Sequence, residues 1–494
     1  MNQGKPPDVD ALQQAADAGD HEAACRLGVL LNDRGRPDEA ERWLRRAADA
    51  GHHPAESNLG VLLAQRGDLD QAEQLYRRAA DAGDHHAENN LGLLLAQTGD
   101  EEQAERWWRR AADAGHHPAE SNLGVLLDQR GRPEEAERWW RRAADAGDHP
   151  AEYHLGVLLE RQGRPEEAER WWRRAAAAGD HDAEFKLGLL LDDRGRLDEA
   201  EQRWWHAAAA GDHDAEFKLG LLLDDRGRLG EAERWYRRAA DAGNHHAEYH
   251  LGMLLERQGR PDEAERRYRR AADAGDHHAE NNLGVLLEQR GESDQAERCW
   301  RRAADAGHHP AEFNLGLLLA QRGRPEEAER WYRRAADAGD HHAQVKLGLL
   351  LAERGRPEEA ERWYRQAADA GDHHAQFNLG LLLAEQGRLD EAEHWYWRAA
   401  TAGDHDAQFK LGLLLLNDRG RADEARRWWR RAADAGDHHA EYHLGLLLEQ
   451  RGRLDQAEHW YRRAADAGNE AARRALATAW RRAGAEPAQR QPTA

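Results

Sequence analysis

Apolar and polar positions recur along this chain in one pattern that fills almost its whole length. Gly19, Gly51 and further glycines to Gly403 stand 32 residues apart, and Gly436 and Gly468 continue the series after one inserted residue. A unit of this size cannot bury its own apolar face, so neighbouring copies stack against each other. The pattern therefore predicts a single array of fourteen units, without linkers between separate domains.

Each unit contains two amphipathic segments, which we call helix A and helix B. In the unit that begins at Gly307, the apolar residues of helix A recur at spacings of three and four, as expected for one helical face. Helix B has the same spacing and carries two aromatic residues. The stripes are Ala311, Leu315, Leu318 and Leu319 in helix A, and Ala328, Trp331, Tyr332 and Ala335 in helix B.

The turns between the helices carry matching signals. Gly323 tolerates left-handed backbone angles, Pro325 suits a first helical turn, and Asp340 is placed to cap the next helix A. Gly316 lies inside helix A, where glycine costs about 1 kcal/mol relative to alanine, and a glycine recurs there in every complete unit. We expect it to permit close contact between helices.

The charged residues of helix B are expected to form a solvated face. Glu326 with Arg330, and Glu329 with Arg333, have the spacing of favourable pairs one helical turn apart.

The two ends depart from the repeat. Residues 1–18 are predicted to be a tail and a truncated capping helix, and 19–467 to be fourteen helix-turn-helix repeats of 32–33 residues. Residues 468–484 are predicted to form a capping helix, as repeat arrays require. The polar segment 485–494 is predicted to be disordered.

Composition narrows the function classes. A formal charge of −22 argues against nucleic acid as a partner, because binding a phosphate backbone needs a positive surface. No stretch approaches the roughly 20 apolar residues of a membrane span, and the first residues do not form a secretory signal, so we expect a cytoplasmic protein without a membrane partner. Arginine far outnumbers lysine, which is typical of a GC-rich bacterial source. Cys25 and Cys299 lie more than eight repeats apart, which excludes a disulfide between them.

The spacing of these residues resembles that of the tetratricopeptide repeat. The residues at that spacing are Leu315, Gly316, Gly323, Ala328, Tyr332 and Ala335. Across the joint between units, the chain is similar to the related Sel-one-like repeat, whose hallmark is a Trp-Tyr pair followed by Ala-Ala and glycine; the residues there are Ala335, Ala336, Gly339, Ala343, Leu347 and Gly348. The unit is two residues shorter than a tetratricopeptide repeat. The resemblance implies an all-α fold, a right-handed superhelical α-solenoid of antiparallel helix pairs, and binding of other proteins.

In tetratricopeptide arrays, the variable helix A positions face a concave groove. The sixth residue after each opening glycine is often aromatic here, and the resemblance implies a partner-binding groove. Two interpretations stay open: the rings fill the joint between adjacent helices A, or they contact a bound chain. The rings belong to Tyr153, Phe185, Phe217, Tyr249, Phe313, Phe377, Phe409 and Tyr442, whereas earlier repeats hold Ser57, Asn89 and Ser121.

The seventh position matches an asparagine with which several tetratricopeptide proteins grip a peptide backbone, and an amide can both donate and accept hydrogen bonds. Lysine or histidine interrupts this series, and Asp182 stands four residues before Lys186, so a local ion pair is the simpler explanation for the lysine. The asparagines are Asn58, Asn90, Asn122, Asn282, Asn314 and Asn378.

The thirteenth and fourteenth positions are mostly acidic, which predicts an acidic groove edge and a partner with a basic or neutral segment. The strongest concentration is Asp192, Asp193, Asp224 and Asp225.

Histidine recurs at the second position, often beside another histidine. Equivalent residues on successive repeats are expected roughly 10 Å apart and adjacent histidines are expected to diverge, so no metal site is predicted. A pH response is the better hypothesis, because protonating all 29 histidines would change the formal charge from −22 to +7.

Catalysis needs residues in distinct roles, whereas nearly every polar residue here is one of many copies. We therefore expect no enzyme and no cofactor, but an intracellular scaffold that binds an extended or helical segment of a partner protein in its groove. A structural or self-assembling rod, and a regulatory subunit of a separately encoded enzyme, remain alternatives.

Overall fold

The computed structural model describes residues 9–482, and all regular structure in this range is α-helical. The chain forms two compact units, Met1–Ala247 and Glu248–Ala494. The predicted disordered segment 485–494 lies outside the described residues. The expectation of an all-α solenoid is confirmed, because helix follows helix in the predicted order in each unit.

The first unit contains fifteen complete helices among its described residues, and a sixteenth helix spans the division between the units. In chain order they are α1 (Val9–Asp17), α2 (His21–Asp33), α3 (Pro37–Asp49), α4 (His53–Gln65), α5 (Leu69–Asp81), α6 (His85–Gln97), α7 (Glu101–Asp113), α8 (His117–Gln129), α9 (Pro133–Asp145), α10 (His149–Arg161), α11 (Pro165–Ala177), α12 (His181–Asp193), α13 (Leu197–Ala209), α14 (His213–Asp225), α15 (Leu229–Asp241) and α16 (His245–Arg257).

The second unit continues the same alternation. Its further helices are α17 (Pro261–Asp273), α18 (His277–Gln289), α19 (Ser293–Asp305), α20 (His309–Gln321), α21 (Pro325–Asp337), α22 (His341–Glu353), α23 (Pro357–Asp369), α24 (His373–Glu385), α25 (Leu389–Thr401), α26 (His405–Asn417), α27 (Ala422–Asp434), α28 (His438–Gln450), α29 (Leu454–Asp466) and α30 (Glu470–Arg482). Even-numbered helices up to α28 are helices A, and odd-numbered helices from α3 are helices B. Within each unit, helix A packs against helix B of its own repeat and helix B packs against the next helix A, as in α20–α21 and α21–α22.

The predicted turn chemistry is confirmed. Gly323 and Gly339 have φ angles of 70° and 96°, in the left-handed region. Pro325 is the first residue of α21, and Asp340 caps α22 by accepting a hydrogen bond from the Ala343 N–H at 2.8 Å. Each turn thus ends one helix and starts the next within three or four residues.

The core of each repeat joins small and large residues. Ala311, Leu315 and Leu319 of helix A are fully buried, and Tyr332 of helix B is 2% exposed. A Cβ added to Gly316 would lie 2.7 Å from Cδ1 of Tyr332. The glycine therefore allows the aromatic ring of helix B to lie against the helix A backbone, which confirms the expected close approach.

A glutamate in the first turn of helix A is buried in ten of the repeats. Glu312 is 1% exposed and lies in the first turn of helix A. Its carboxylate accepts from Arg334 at 2.9 Å and contacts His309 Nδ1 at 3.1 Å. Arg334 also donates to the carbonyl oxygen of Ala304 in the preceding helix B. The ion pair therefore connects both helices of one repeat with the preceding repeat.

The exposed side of helix B carries a second set of ion pairs. Glu329 accepts from Arg333 at 3.0 Å, as predicted, and also from Arg356 of the next repeat at 2.7 Å. Although partial burial raises the pKa of Glu329, hydrogen bonds from these two arginines outweigh it and leave the pKa below its ordinary value. The predicted partner of Glu326 is wrong: it pairs with Arg354 of the next repeat at 2.9 Å.

Candidate functional site

The candidate site is the surface formed by the sixth, seventh, thirteenth and fourteenth residues after each opening glycine, which we call the helix A face. The rings at the sixth position are half-buried. The Phe313 ring lies 6.0 Å from that of Tyr332 in its own helix B and 6.4 Å from that of His342 in the next repeat. Part of each such ring therefore fills a joint, and part remains accessible.

Phe217 and Tyr249 repeat both contacts, and other aromatic sixth positions repeat one of them. Phe217 lies beside Tyr236 and His246, Tyr249 beside Tyr268 and His278, Phe377 beside Tyr396, Phe409 beside His439, and Tyr442 beside Tyr461. Phe185 is also half-buried, while burial raises the pKa of Tyr153. Ser57, Asn89 and Ser121 of the earlier repeats are buried. The helix A face thus changes from small polar to aromatic residues along the first unit.

Several asparagines at the seventh position already use their donors within the protein. Asn122 donates to Oδ1 of Asn89 at 2.9 Å, and Asn314 donates to Oδ1 of Asn281 at 3.0 Å. Asn378 donates to the carbonyl oxygen of His374. Asn58 similarly donates to the carbonyl oxygen of Pro54 and to Cys25 Sγ, while Asn282 accepts from Asn281. Asn90 is partly exposed. Asn58, Asn122, Asn314 and Asn378 therefore have an amide N–H engaged within the protein, whereas the side-chain oxygen of Asn282 is engaged.

Lys186 has a different partner from the one suggested by its spacing. Its Nζ lies 3.8 Å from Glu160, at the thirteenth position of the preceding repeat, and no ion pair joins it to Asp182 among the described residues. Asp128, at another thirteenth position, accepts two hydrogen bonds from Arg161 at 2.6 Å. The edge of the helix A face is thus partly neutralised by contacts between neighbouring repeats.

The acidic edge carries two neighbouring carboxylates on each of α12 and α14. Asp192, Asp193 and Asp225 have no ion-pair partner in the part of the chain that the structure describes. Asp193 and Asp225 are exposed, whereas Asp192 and Asp224 are half-buried. These four carboxylates lie on the same two helices as Phe185 and Phe217. Apolar rings and negative charge therefore occur together in the sixth and seventh repeats.

Family comparison identifies the repeat itself. Models described as tetratricopeptide repeat match residues 185–247, 249–297, 281–343, 345–407 and 409–472, and a second such model matches 26–46, 53–78, 85–110, 117–142 and 143–174. The chain belongs to the tetratricopeptide-repeat family. The comparison with curated proteins finds no match.

Solved structures place this tetratricopeptide-repeat chain near the Sel1-like branch. It is 25% identical to c5321, a protective antigen of uropathogenic Escherichia coli displaying an SLR fold, with a TM-score of 0.60, covering 85% of this chain and 99% of that one. A Sel1 repeat protein from Oxalobacter formigenes is 28% identical, with a TM-score of 0.47, covering 56% and 90%. Yeast Tom70 is 14% identical, with a TM-score of 0.35, covering 88% and 97%.

Histidines of the tetratricopeptide repeats meet at the joints. The first residue after each opening glycine caps helix A and can lie beside the third residue after the opening glycine of the preceding repeat, as His308 lies beside His278. His308 Nδ1 accepts from the Ala311 N–H, so its Nε2 carries the proton and donates to Nδ1 of His278 at 3.1 Å. His116 and His86 form the same pair at 3.2 Å. Burial and the neighbouring histidine lower the pKa of His308 to about 4.

The expectation that adjacent histidines diverge is wrong at His373 and His374, whose ring centroids lie 4.2 Å apart. Their ligand atoms and a carboxylate oxygen of Asp404 lie within 4.8 Å of one another. Two ligands bound to one zinc ion would stand about 3.4 Å apart. The group therefore has suitable donor types but is not a formed zinc site.

Two tryptophans interrupt the ion pairs on helix B. Trp205 and Trp397 are each 53% exposed and occupy the place that Arg333 holds in α21.

No described helix is long and apolar enough to cross a membrane.

Proposed function

We propose that the chain is a non-catalytic interaction scaffold whose helix A face binds an extended or helical segment of another protein. The observation that carries this proposal is the repeated half-buried ring at the sixth position. Aromatic side chains with one packed and one accessible side are typical binding anchors, because they add large contact area at little entropic cost. Membership of a family of interaction scaffolds supports the same function.

We place the main contact on the sixth and seventh repeats of the first unit. Phe185 and Phe217 would supply apolar contacts, and the four aspartates of α12 and α14 would attract a basic or neutral segment. Such attraction steers association and weakens as salt screens the charges. The proposed partner is a cytoplasmic protein and not a nucleic acid or a membrane.

The test is affinity capture from a native lysate with quantitative mass spectrometry. Wild type is compared with a variant in which Phe185, Phe217, Phe313, Phe377 and Phe409 are alanine, after circular dichroism has shown that both are folded. We expect a partner that wild type enriches and the variant loses. Equal recovery by both proteins would contradict binding at the helix A face.

Paired variants then locate the contact. Phe185→Ala with Phe217→Ala should abolish capture, whereas Phe377→Ala with Phe409→Ala is a matched control that removes the same rings from the second unit. An enzyme among the captured proteins would identify the chain as its regulatory subunit.

Charge is tested separately with the captured partner. Replacing Asp192, Asp193, Asp224 and Asp225 with asparagine keeps the side-chain size and removes four charges. We expect weaker binding at low salt and a smaller dependence of Kd on salt. Unchanged salt dependence would refute electrostatic attraction at this edge.

Self-association is a second candidate function, favoured by the exposed rings of Trp205 and Trp397. Exposed tryptophans next to ion pairs are suited to contact a second copy. Replacing each tryptophan with arginine gives these helices the residue that stands at the position of Arg333 in α21. The new arginines could pair with Glu201 and Glu393, which lie four residues before positions 205 and 397. If the tryptophans drive assembly, light scattering will show concentration-dependent mass for wild type and a constant monomer mass for the double variant.

A further inference from the structure

A tryptophan three residues before an arginine recurs in helix B. In α21, the Arg334 guanidinium lies 4.8 Å from the centroid of the Trp331 ring. The distances in the other repeats range from 4.6 to 5.5 Å, for Arg46 over Trp43, Arg110 over Trp107, Arg142 over Trp139, Arg174 over Trp171, Arg238 over Trp235, Arg398 over Trp395, Arg431 over Trp428 and Arg463 over Trp460. In six of these repeats, the arginine over the indole also pairs with the buried glutamate of helix A.

In α19 this tryptophan is replaced by Cys299, the 24th residue after the opening glycine. The rest of the arrangement is kept: Arg302 pairs with the buried Glu280 at 2.7 Å and donates to the carbonyl oxygen of Ala272 at 3.2 Å. The Arg302 side chain is 58% exposed, against 46% for Arg334, which has its indole. The arginine is thus positioned as in the other repeats but has lost the ring beneath it.

A cavity of about 220 Å³ lies next to Cys299. Its inner wall is apolar and buried, formed by Ala272, Leu283 and Leu287. Exposed arginines stand at its rim, namely Arg269, Arg298 and Arg302. Two carboxylates also line it, Asp273 and the buried Glu280 that pairs with Arg302. The cavity therefore combines an apolar wall with charged groups among which three arginines outnumber two carboxylates.

Other repeats that lack the tryptophan place a larger residue there. Arg203 occupies the position in α13 and contacts Glu184 at 3.2 Å, and Arg267 occupies it in α17 and contacts Glu248 at 3.0 Å. Leu75 takes the place in α5. Cysteine is the smallest of these substitutes. A cavity of about 390 Å³ also lies at the equivalent place in the seventh repeat, beside Leu219, Leu223 and Trp235, so the cysteine accounts for the inward reach of the Cys299 cavity, to Ala272 and Glu280.

We propose that the cavity beside Cys299 binds a small aromatic molecule of indole size, neutral or anionic. In nine other repeats, an indole of the chain itself packs in this place under an arginine, so the walls already suit a planar ring. An apolar cavity of 150 Å³ is large enough to bind benzene, and a cation facing an aromatic ring adds attraction. The arginines at the rim disfavour a cationic ligand.

The first test uses Cys299 as a reporter and Cys25 as an internal control, because the chain has two cysteines. Burial raises the pKa of both thiols, so alkylation by iodoacetamide is followed at alkaline pH, peptide by peptide, by mass spectrometry. Indole should slow the alkylation of Cys299 by the factor 1 + [indole]/Kd and leave Cys25 unchanged. No slowing at Cys299, or equal slowing at both cysteines, would overturn the proposal.

The second test fills the cavity from within. Cys299→Trp recreates the pair seen at Trp331 and Arg334, so we expect a folded protein with a raised Tm. Binding is measured by ¹⁹F NMR with 5-fluoroindole: wild type should broaden and shift the resonance saturably, and Cys299→Trp should not. Equal binding by the two proteins would overturn the assignment. N-acetyltryptophanamide is tested in parallel as a competitor of 5-fluoroindole. Competition with similar affinity would identify a tryptophan side chain of a partner as the source of the ring, whereas failure to compete would identify a free small molecule as the source.

Discussion

The glycine inside helix A offers the sharpest test of how the helices pack. In Gly316→Ala, the new Cβ would lie 2.7 and 2.8 Å from Cδ1 and Cε1 of Tyr332. Real Cβ atoms do not approach ring carbons so closely, so the ring or the helix must shift. Tyr332 is 2% exposed and has Phe313 beside it, which leaves little room for the ring to move.

The magnitude follows from two opposing effects. Alanine favours a helix interior over glycine by about 1 kcal/mol, whereas overpacking a well-filled core costs about 1–3 kcal/mol. Because two ring carbons are affected and the ring is enclosed, we take the upper end of that cost. The expected net loss is about 2 kcal/mol, equivalent to about a 30-fold increase in local opening.

Hydrogen exchange is the appropriate assay, because repeat arrays need not unfold in a single two-state step. The amides of α20 should exchange faster in Gly316→Ala than in wild type. Gly230→Ala is the control: Gly230 lies in the first turn of α15 and a Cβ there meets nothing within 4 Å, so this variant should be at least as stable as wild type. Equal or slower exchange of α20 in Gly316→Ala would refute the steric explanation of the glycine that recurs inside helix A.

Three further predictions concern the ends of helix A. The pKa of His308 is lowered to about 4 from 6.5, so the folded state binds fewer protons than the unfolded state between these values, and the stability that His308 contributes should be lost as pH falls from about 6.5 to 4. Besides burial, His277, His278 and His309 lower this pKa, and Asp276 raises it. His308→Asp should remove the acid sensitivity of α20 in hydrogen exchange, and an unchanged pH profile would contradict the assignment. Glu312→Ala should lower the local stability of α20 by about 1–3 kcal/mol in hydrogen exchange, because Arg334 and His309 lose their acceptor. Glu312→Gln should lose less, since Gln344 occupies this position elsewhere and donates to the Ala336 carbonyl oxygen; equal losses would show that charge is unimportant there. Asp340→Ala should destabilise α22 by about 1 kcal/mol, whereas Asp340→Asn should be nearly neutral in thermal unfolding.

The fold could be predicted closely because its signals are local. Pro325 and Asp340 act within one turn of their own positions. A glycine recurs at the position of Gly316 in each complete unit, although helix propensity alone disfavours glycine there. The apolar stripes then determine which faces must be covered. Each of these signals is repeated many times, so a single irregular repeat does not obscure the pattern.

The buried charges could not be derived from local spacing. Glu312 follows a buried alanine in the first turn of helix A, and its burial depends on Arg334, 22 residues away in helix B. Similarly, Lys186 pairs with Glu160 of the preceding repeat, and Glu326 pairs with Arg354 of the next repeat. Patterns within a helix suggest partners one turn away, whereas in a stacked array the adjacent repeat offers closer partners. The recurrence of glutamate at the fifth position was the available signal.

The side chains of the helix A face are only partly determined by sequence patterns. The aromatic rings do lie half-buried, but whether a ring fills a joint or contacts a partner depends on the next repeat, as the contact between Phe313 and His342 illustrates. The rings of His373 and His374 approach each other, although adjacent helical positions suggested divergence. In this repeat Gln376 replaces the glutamate that accepts from the corresponding histidine elsewhere, which leaves His373 without that contact among the described residues.

The contacts made by Arg334 also bear on how the length of such a chain can change. Its bond to the Ala304 carbonyl is repeated by Arg110 to Ala80 and by Arg174 to Ala144, so the junctions between repeats use the same atoms. Deleting one complete 32-residue unit therefore brings together two surfaces that already match. Duplication or loss of whole repeats during replication can lengthen or shorten the protein without a new interface having to evolve. A deletion that is not a multiple of the unit would misalign the contacts between the two repeats at its junction.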